Sequence, residues 1–164
     1  MADSRDEIFA ALAAQRAAPE RSPRWTGSAL RFEDPVAAFR EALEAAGGAL
    51  LVLPDRAALD RALADAPPDT VPLAGGPAVA ESGAVWWVPA DLEERRAAFL
   101  AERVLLAVPR TTLVDDLHGA YRRIDPASAC YGCFVSGPSK TADIEQALVI
   151  GAHGPRALTV LLWG

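Results

Sequence analysis

The amino-acid sequence predicts an α/β fold with a mainly parallel sheet. Short, unbroken apolar runs alternate with helical patterns along the chain. Strand–helix–strand units produce this alternation, because each crossover helix brings the chain back to start a parallel neighbour. The 164 residues, 51% of them hydrophobic, let one domain bury about 68–70% of the surface its unfolded chain exposes.

Each element has its own signal. Ser4-Arg5-Asp6-Glu7 fits a capping box ahead of Ile8, Phe9 and Leu12, predicting a first helix that ends near Pro19. Residues 19–34 carry Pro19, Pro23 and Gly27 and read as a linker or arm, with Trp25 expected to tuck onto the domain or a neighbouring subunit. Asp34 is the N-cap of a second helix, Pro35 lies in its first turn, and Val36, Phe39 and Leu43 share one face. Gly47-Gly48 stops it. Leu50-Leu51-Val52-Leu53 predicts a strand buried on both faces. Asp55 opens a helix with Leu59 and Leu63 facing inward. Residues 66–79 hold four prolines and two glycines and are expected to be irregular. Residues 84–88 and 104–108 predict two more strands, Leu113, Leu117 and Tyr121 one face of a helix, and residues 158–162 a closing strand.

Charge and composition exclude several partner classes. Sixteen basic against 22 acidic residues give a net charge of −6. No basic cluster exceeds two residues, so neither nucleic acid nor an anionic membrane surface is an expected partner. No apolar run approaches the roughly 18–20 residues that span a bilayer, and the polar N-terminus does not read as a secretory signal. A cytoplasmic location is the expectation. Lys140 is the single lysine, set within a Gly/Ser loop.

Candidate chemistry concentrates in the last third of the chain. Ser136-Gly137-Pro138-Ser139-Lys140-Thr141 has the form of a strand, a loop and then a short helix that includes Glu145. Backbone N–H groups at such a helix start can hold an anion, with Ser136, Ser139 and Thr141 as hydroxyl donors, Gly137 freeing the backbone and Lys140 supplying charge. The plain alternative is that Ser139 or Thr141 caps the helix while Lys140 points into water. Gly151-Ala152-His153-Gly154-Pro155-Arg156 predicts a tight turn presenting an imidazole for acid–base work and a guanidinium for a carboxylate or phosphate. Both segments are expected at the carboxyl edge of the sheet, lining one pocket. Glu81, just before the Trp86-Trp87 strand, is a third candidate, or else a surface residue. Cys130-Tyr131-Gly132-Cys133 leads into a strand instead of opening a helix, so a redox or metal role is not expected of it.

The run from Ser136 to Glu145, followed by Val149-Ile150-Gly151-Ala152-His153-Gly154-Pro155, strongly resembles the signature of the lactate-utilisation protein C family (LutC/YkgG, the LUD domain). Ala80-Glu81-Ser82-Gly83-Ala84 is similar to that family's Ala-Glu-Thr-Gly-Thr element, with serine and alanine in place of the threonines. The resemblance is dense only after residue 80. It implies a three-layer sandwich like that of the ribose-5-phosphate isomerase, glucosamine-6-phosphate deaminase and coenzyme A transferase superfamily (the NagB/RpiA/CoA transferase-like fold). On that reading residues 1–34 form an N-terminal helical arm and residues 35–164 the LUD-type domain.

The resemblance also implies membership in a cytoplasmic system that oxidises L-lactate to pyruvate, in which companion subunits carry the iron–sulfur clusters. The chain itself would bind a small carboxylate or phosphate and hold no metal or cofactor. Two rival readings stay open: a free-standing isomerase or transferase type of enzyme using Glu81, Glu145 and His153 as acid–base groups, and a non-catalytic scaffold.

Overall fold

The computed structural model describes residues 4–14, 30–125, 127–142, 148–151 and 154–164, and the structural statements below concern these residues. In chain order come α1 (Ser4–Ala14), α2 (Pro35–Ala45), β1 (Ala49–Leu53), α3 (Arg56–Ala64), β2 (Thr70–Ala74), β3 (Ala78–Val79), β4 (Ala84–Trp87) and α4 (Leu92–Leu100). Then follow β5 (Arg103–Pro109), β6 (Leu113–Val114), α5 (Leu117–Tyr121), β7 (Cys133–Val135), β8 (Lys140–Ala142), β9 (Leu148–Ile150) and β10 (Ala157–Trp163).

The first sheet has the order β1-β10-β5-β2 and is parallel throughout. Its register aligns Leu50, Val160, Leu106 and Leu73 in one row across the four strands. All four are buried. This face packs on Phe39 and Leu43 of α2, Ala98 of α4, and Ala78, Val85 and Trp87 of a second sheet. On the opposite face Leu161 is buried and α3 packs against β1 and β10. The layers are therefore α3, the parallel sheet, and a layer of second sheet with α2 and α4, the α/β architecture that the sequence predicts.

Local chemistry explains where α2 begins and ends. Asp34 accepts hydrogen bonds from the Val36 and Ala37 N–H groups, both at 3.0 Å, which satisfies two of the helix's orphan donors. Pro35 takes the position where no N–H is needed. Gly47 leaves the helix at φ +85°, a region glycine enters without steric cost. The N-terminal helical arm is present as α1, with every residue exposed. Trp25 lies outside the described residues. Among those described, no helix is long and apolar enough to cross a membrane.

The mainly parallel sheet is borne out, and three other expectations, on residues 66–79, β1 and Leu113, need correction. Parallel pairing is complete in the first sheet only; the second, β6-β3-β4-β7, is parallel just between β3 and β6. Residues 66–79 are not irregular but supply β2 and β3. Pro72 is tolerated because β2 is an edge strand, where a missing donor can face away from the ladder. β1 is the other edge, so Leu51 and Val52 stay partly exposed instead of being buried on both faces. Leu113 belongs to β6, and α5 is a short helix of five residues.

Candidate functional site

A cavity of 380 Å³ lies between the parallel sheet and the second layer. Leu73, Val104, Leu106 and Leu158 of the parallel sheet form one side, while Trp87 of β4 and Ala98 and Phe99 of α4 form another. Residues 133–139 and Gly154-Pro155 complete the wall. The signature loop that the sequence singles out therefore borders the cavity directly.

The helix expected after Thr141 falls on residues 143–147, which lie outside the described residues. Residues 140–142 are β8, paired antiparallel with β9 so that Lys140 opposes Ile150 and Thr141 opposes Val149. A hairpin returns the chain beside its own start. Ser139 N–H accordingly donates to the Pro155 carbonyl at 2.8 Å, and Gly151 N–H donates to the Ser139 carbonyl at 2.9 Å. A Cβ on Gly154 would stand 2.9 Å from the Ser139 Cβ, so glycine is what allows the two segments to touch. Residues 154–156 then enter β10 from its amino end. The loop and Arg156 thus sit at the amino ends of the parallel strands, not at the carboxyl edge, because Ser139 is hydrogen-bonded to Pro155 just before β10 begins.

The loop is also wedged against α2 and the Glu81-Ser82-Gly83 turn. Gly137, at φ +69°, lies so close to the Ala46 carbonyl that no side chain fits. Gly83, at φ +62°, abuts the α2 backbone, where a Cβ would come within 2.6 Å of the Leu43 Cα. Ser136 Oγ donates to the Ser82 carbonyl at 3.3 Å. Three separated parts of the signature, residues 81–83, residues 136–139, and Gly151 with Gly154-Pro155, become one structural unit.

The individual candidates divide. Ser136, Gly137 and Ser139 line the cavity. Lys140 does not; its Nζ lies 3.2 Å from where a Gly47 Cβ would stand, at the carboxyl end of α2, where the helix dipole favours a cation. Arg156 is exposed, packs on Gly151 and faces Glu102 Oε2 at 3.7 Å. Glu81 Oε1 accepts the Leu117 N–H at 2.7 Å, so it serves the first turn of α5 beside the N-cap Asp116. The side chain of Thr141, Glu145 and His153 lie outside the described residues.

Sequence reasoning missed Trp87, Tyr131 and Cys133 as wall residues. Neighbours on a strand point to opposite faces, which sends Trp86 onto Phe134 with ring centroids 5.0 Å apart and Trp87 into the core beside Phe99. The signal available was the Trp86-Trp87 pair itself, since one of two adjacent strand residues has to face inward. Tyr131 hydrogen-bonds Cys133, and that bond is the main reason its phenol is held above the usual range; burial adds to it. The Arg95 guanidinium, 4.0 Å above the ring, pulls the other way. Both cysteines are free thiols, Cys130 exposed and Cys133 half-buried.

Fold and site together define an α/β domain whose glycine- and serine-containing loop walls an apolar cavity. Residues 70–163 match the LUD domain, and the chain belongs to that family. It is similar to lactate utilization protein C 1 of Bacillus mycoides, 42% identical over 84 residues that make up 47% of this chain and 36% of that protein. Lactate utilization protein C of Shouchella clausii is 36% identical over 83 residues, with the same shares. The matched segment spans about a third of the length of these curated relatives. A DUF162 family protein from Deinococcus radiodurans shares the fold, with a TM-score of 0.53 and 15% identity over 83% of this chain and 100% of that one.

Proposed function

We propose that the chain serves lactate utilisation as a ligand-binding component. It holds a small carboxylate at the 136–139 loop, while electron transfer is carried by iron–sulfur partner subunits of a cytoplasmic system. The observation that carries this reading is the closure of the 136–139 loop on Gly154-Pro155, with both segments forming wall of the same 380 Å³ cavity. The names of the relatives supply the lactate context. Ser139 is half-buried at this wall, and its hydroxyl donates to the carboxylate in our reading. Acid–base catalysis by Glu81 has less support, since its carboxylate is occupied at the start of α5.

Calorimetric titration of the purified chain with lactate and with pyruvate tests the proposal. Ser139→Ala is expected to weaken binding about tenfold, the order of one hydrogen bond to a charged group. Lys140→Ala should weaken it less, because that amine lies at the end of α2. Equal affinity of the Ser139 variant and the unaltered chain, or no saturable binding of either acid, would refute the assignment.

A further inference from the structure

We infer that the open face of the parallel sheet is completed by a second copy of this chain. The α1 helix of each copy lies in a groove beside α3 of the other. This surface is on the other side of the sheet from the cavity and is independent of the ligand proposed for it.

Parallel sheets normally carry helices on both faces, because their strands are apolar on both sides. Here the face opposite Leu106 is covered only in part. Alternation along the strands sends Pro72, Ala74, Leu105, Ala107, Leu161 and Trp163 to that face. Leu161 is buried on the side where α3 packs against β1 and β10. Toward β2 the cover ends: Leu105 and Ala107 are half-buried, Pro72 and Ala74 exposed. A groove of 300 Å³ lies there between Leu59 and Leu63 of α3 and the β5-β2 surface, with Trp163 at the carboxyl end of the strands.

The same chain carries an apolar helix face that no described residue covers. Ile8, Phe9 and Leu12 share one side of α1 and are 60%, 59% and 58% exposed. With 11 residues α1 is about 16 Å long, and the five residues of β2 span about the same length. The α3 helix links β1 to β2 within one parallel sheet, so it runs against the strands. A second helix laid beside it in the same direction places its acidic first turn, Asp6 and Glu7, at the carboxyl ends of the strands. Arg56 borders the groove at that end. Its Nε faces Asp60 at 2.8 Å, while its Nη groups have no printed partner among the described residues and are free for Asp6 or Glu7. Charge therefore matches where the apolar surfaces do. Within one copy α1 leaves the groove open, with every one of its residues exposed. A second copy supplies the helix, and two-fold symmetry makes the contact twice.

Sedimentation equilibrium of the full chain tests this, with Phe9→Asp on the helix and Ala74→Arg in the groove. The unaltered chain is expected to sediment as a dimer. Each substitution sets a charge against an apolar surface and should raise the dimer dissociation constant at least about tenfold. Far-UV circular dichroism should stay unchanged, because both side chains are exposed. Pro72→Arg, also exposed, takes the place of Ala74→Arg if that variant does not fold. An equimolar mixture of the helix and groove variants keeps one unaltered helix facing one unaltered groove. It is expected to associate more tightly than either variant alone, which α1 folding onto its own domain would not produce. A chain monomeric at all concentrations, a dimer that neither substitution weakens, dissociation by Phe9→Asp alone, or no recovery in the mixture overturns the inference. The carboxylate titration with Ser139→Ala decides the functional reading separately.

Discussion

Asp115 fastens the segment preceding α2 to the junction of β6 and α5. One carboxylate oxygen accepts the Phe32 N–H at 3.0 Å, and the other faces the Arg31 guanidinium at 3.0 Å. The Phe32 bond is the main reason its pKa lies below the ordinary value; burial opposes the shift, and Arg31 assists it. A carboxylate with a lowered folded-state pKa contributes stability above its unfolded value of about 3.9, and that contribution disappears as pH falls through the folded value. Asp115→Asn should therefore cost about 1 kcal/mol near neutrality, the usual net worth of a hydrogen bond. The gap to the unaltered chain should close as pH drops below about 4. Urea titrations at a series of pH values would measure this, and a gap independent of pH would contradict the carboxylate's role. None of this was legible beforehand, because Arg31 and Asp115 are joined only by folding.

Among the elements, α2 was the most legible, because its signals are local. Cap, first-turn proline and terminal glycine act within a few residues of one another, and no distant partner is needed to interpret them. Asp34→Ala removes the acceptor for two N–H groups and should lower stability by about 1 kcal/mol, as loss of an N-cap commonly does. A shift of the urea midpoint at unchanged slope would register it; an unshifted midpoint would mean that water replaces the cap at no cost. The β8–β9 hairpin was illegible for the opposite reason. Ser139-Lys140-Thr141 suits a helix start as well as a strand, and the partner that decides it, β9, begins several residues further along the chain. Likewise Pro72 argues against a central strand, but nothing local reveals that β2 is an edge.

The two sheets of the molecule share one core. Leu106, 1% exposed, stands in the row formed by Leu50, Val160 and Leu73, and its cluster includes Val85 and Trp87 of the second sheet. Leu106→Ala should destabilise the fold by about 2–5 kcal/mol, the range for truncating a fully buried leucine. Because the lost contacts face both sheets, far-UV circular dichroism and tryptophan fluorescence are expected to report a single coincident transition, now at lower denaturant. Two separated transitions would show that the sheets unfold independently.

What the sequence determined by itself was the alternation of strands and helices, the caps of α2 and α3, and the residues that mark the family. These rest on side-chain pattern, turn chemistry and short-range hydrogen bonds, all written within a few residues of each other. Tertiary structure alone decided that Ser136 and Ser139 face a cavity while Lys140 turns to the end of α2, and that Glu81 is taken up by α5. It also decided that Trp87, buried in the core, borders the cavity. Which wall a side chain joins depends on strand order and register across the sheets. Those are set by burial summed over the whole chain, and no short stretch of sequence carries that sum.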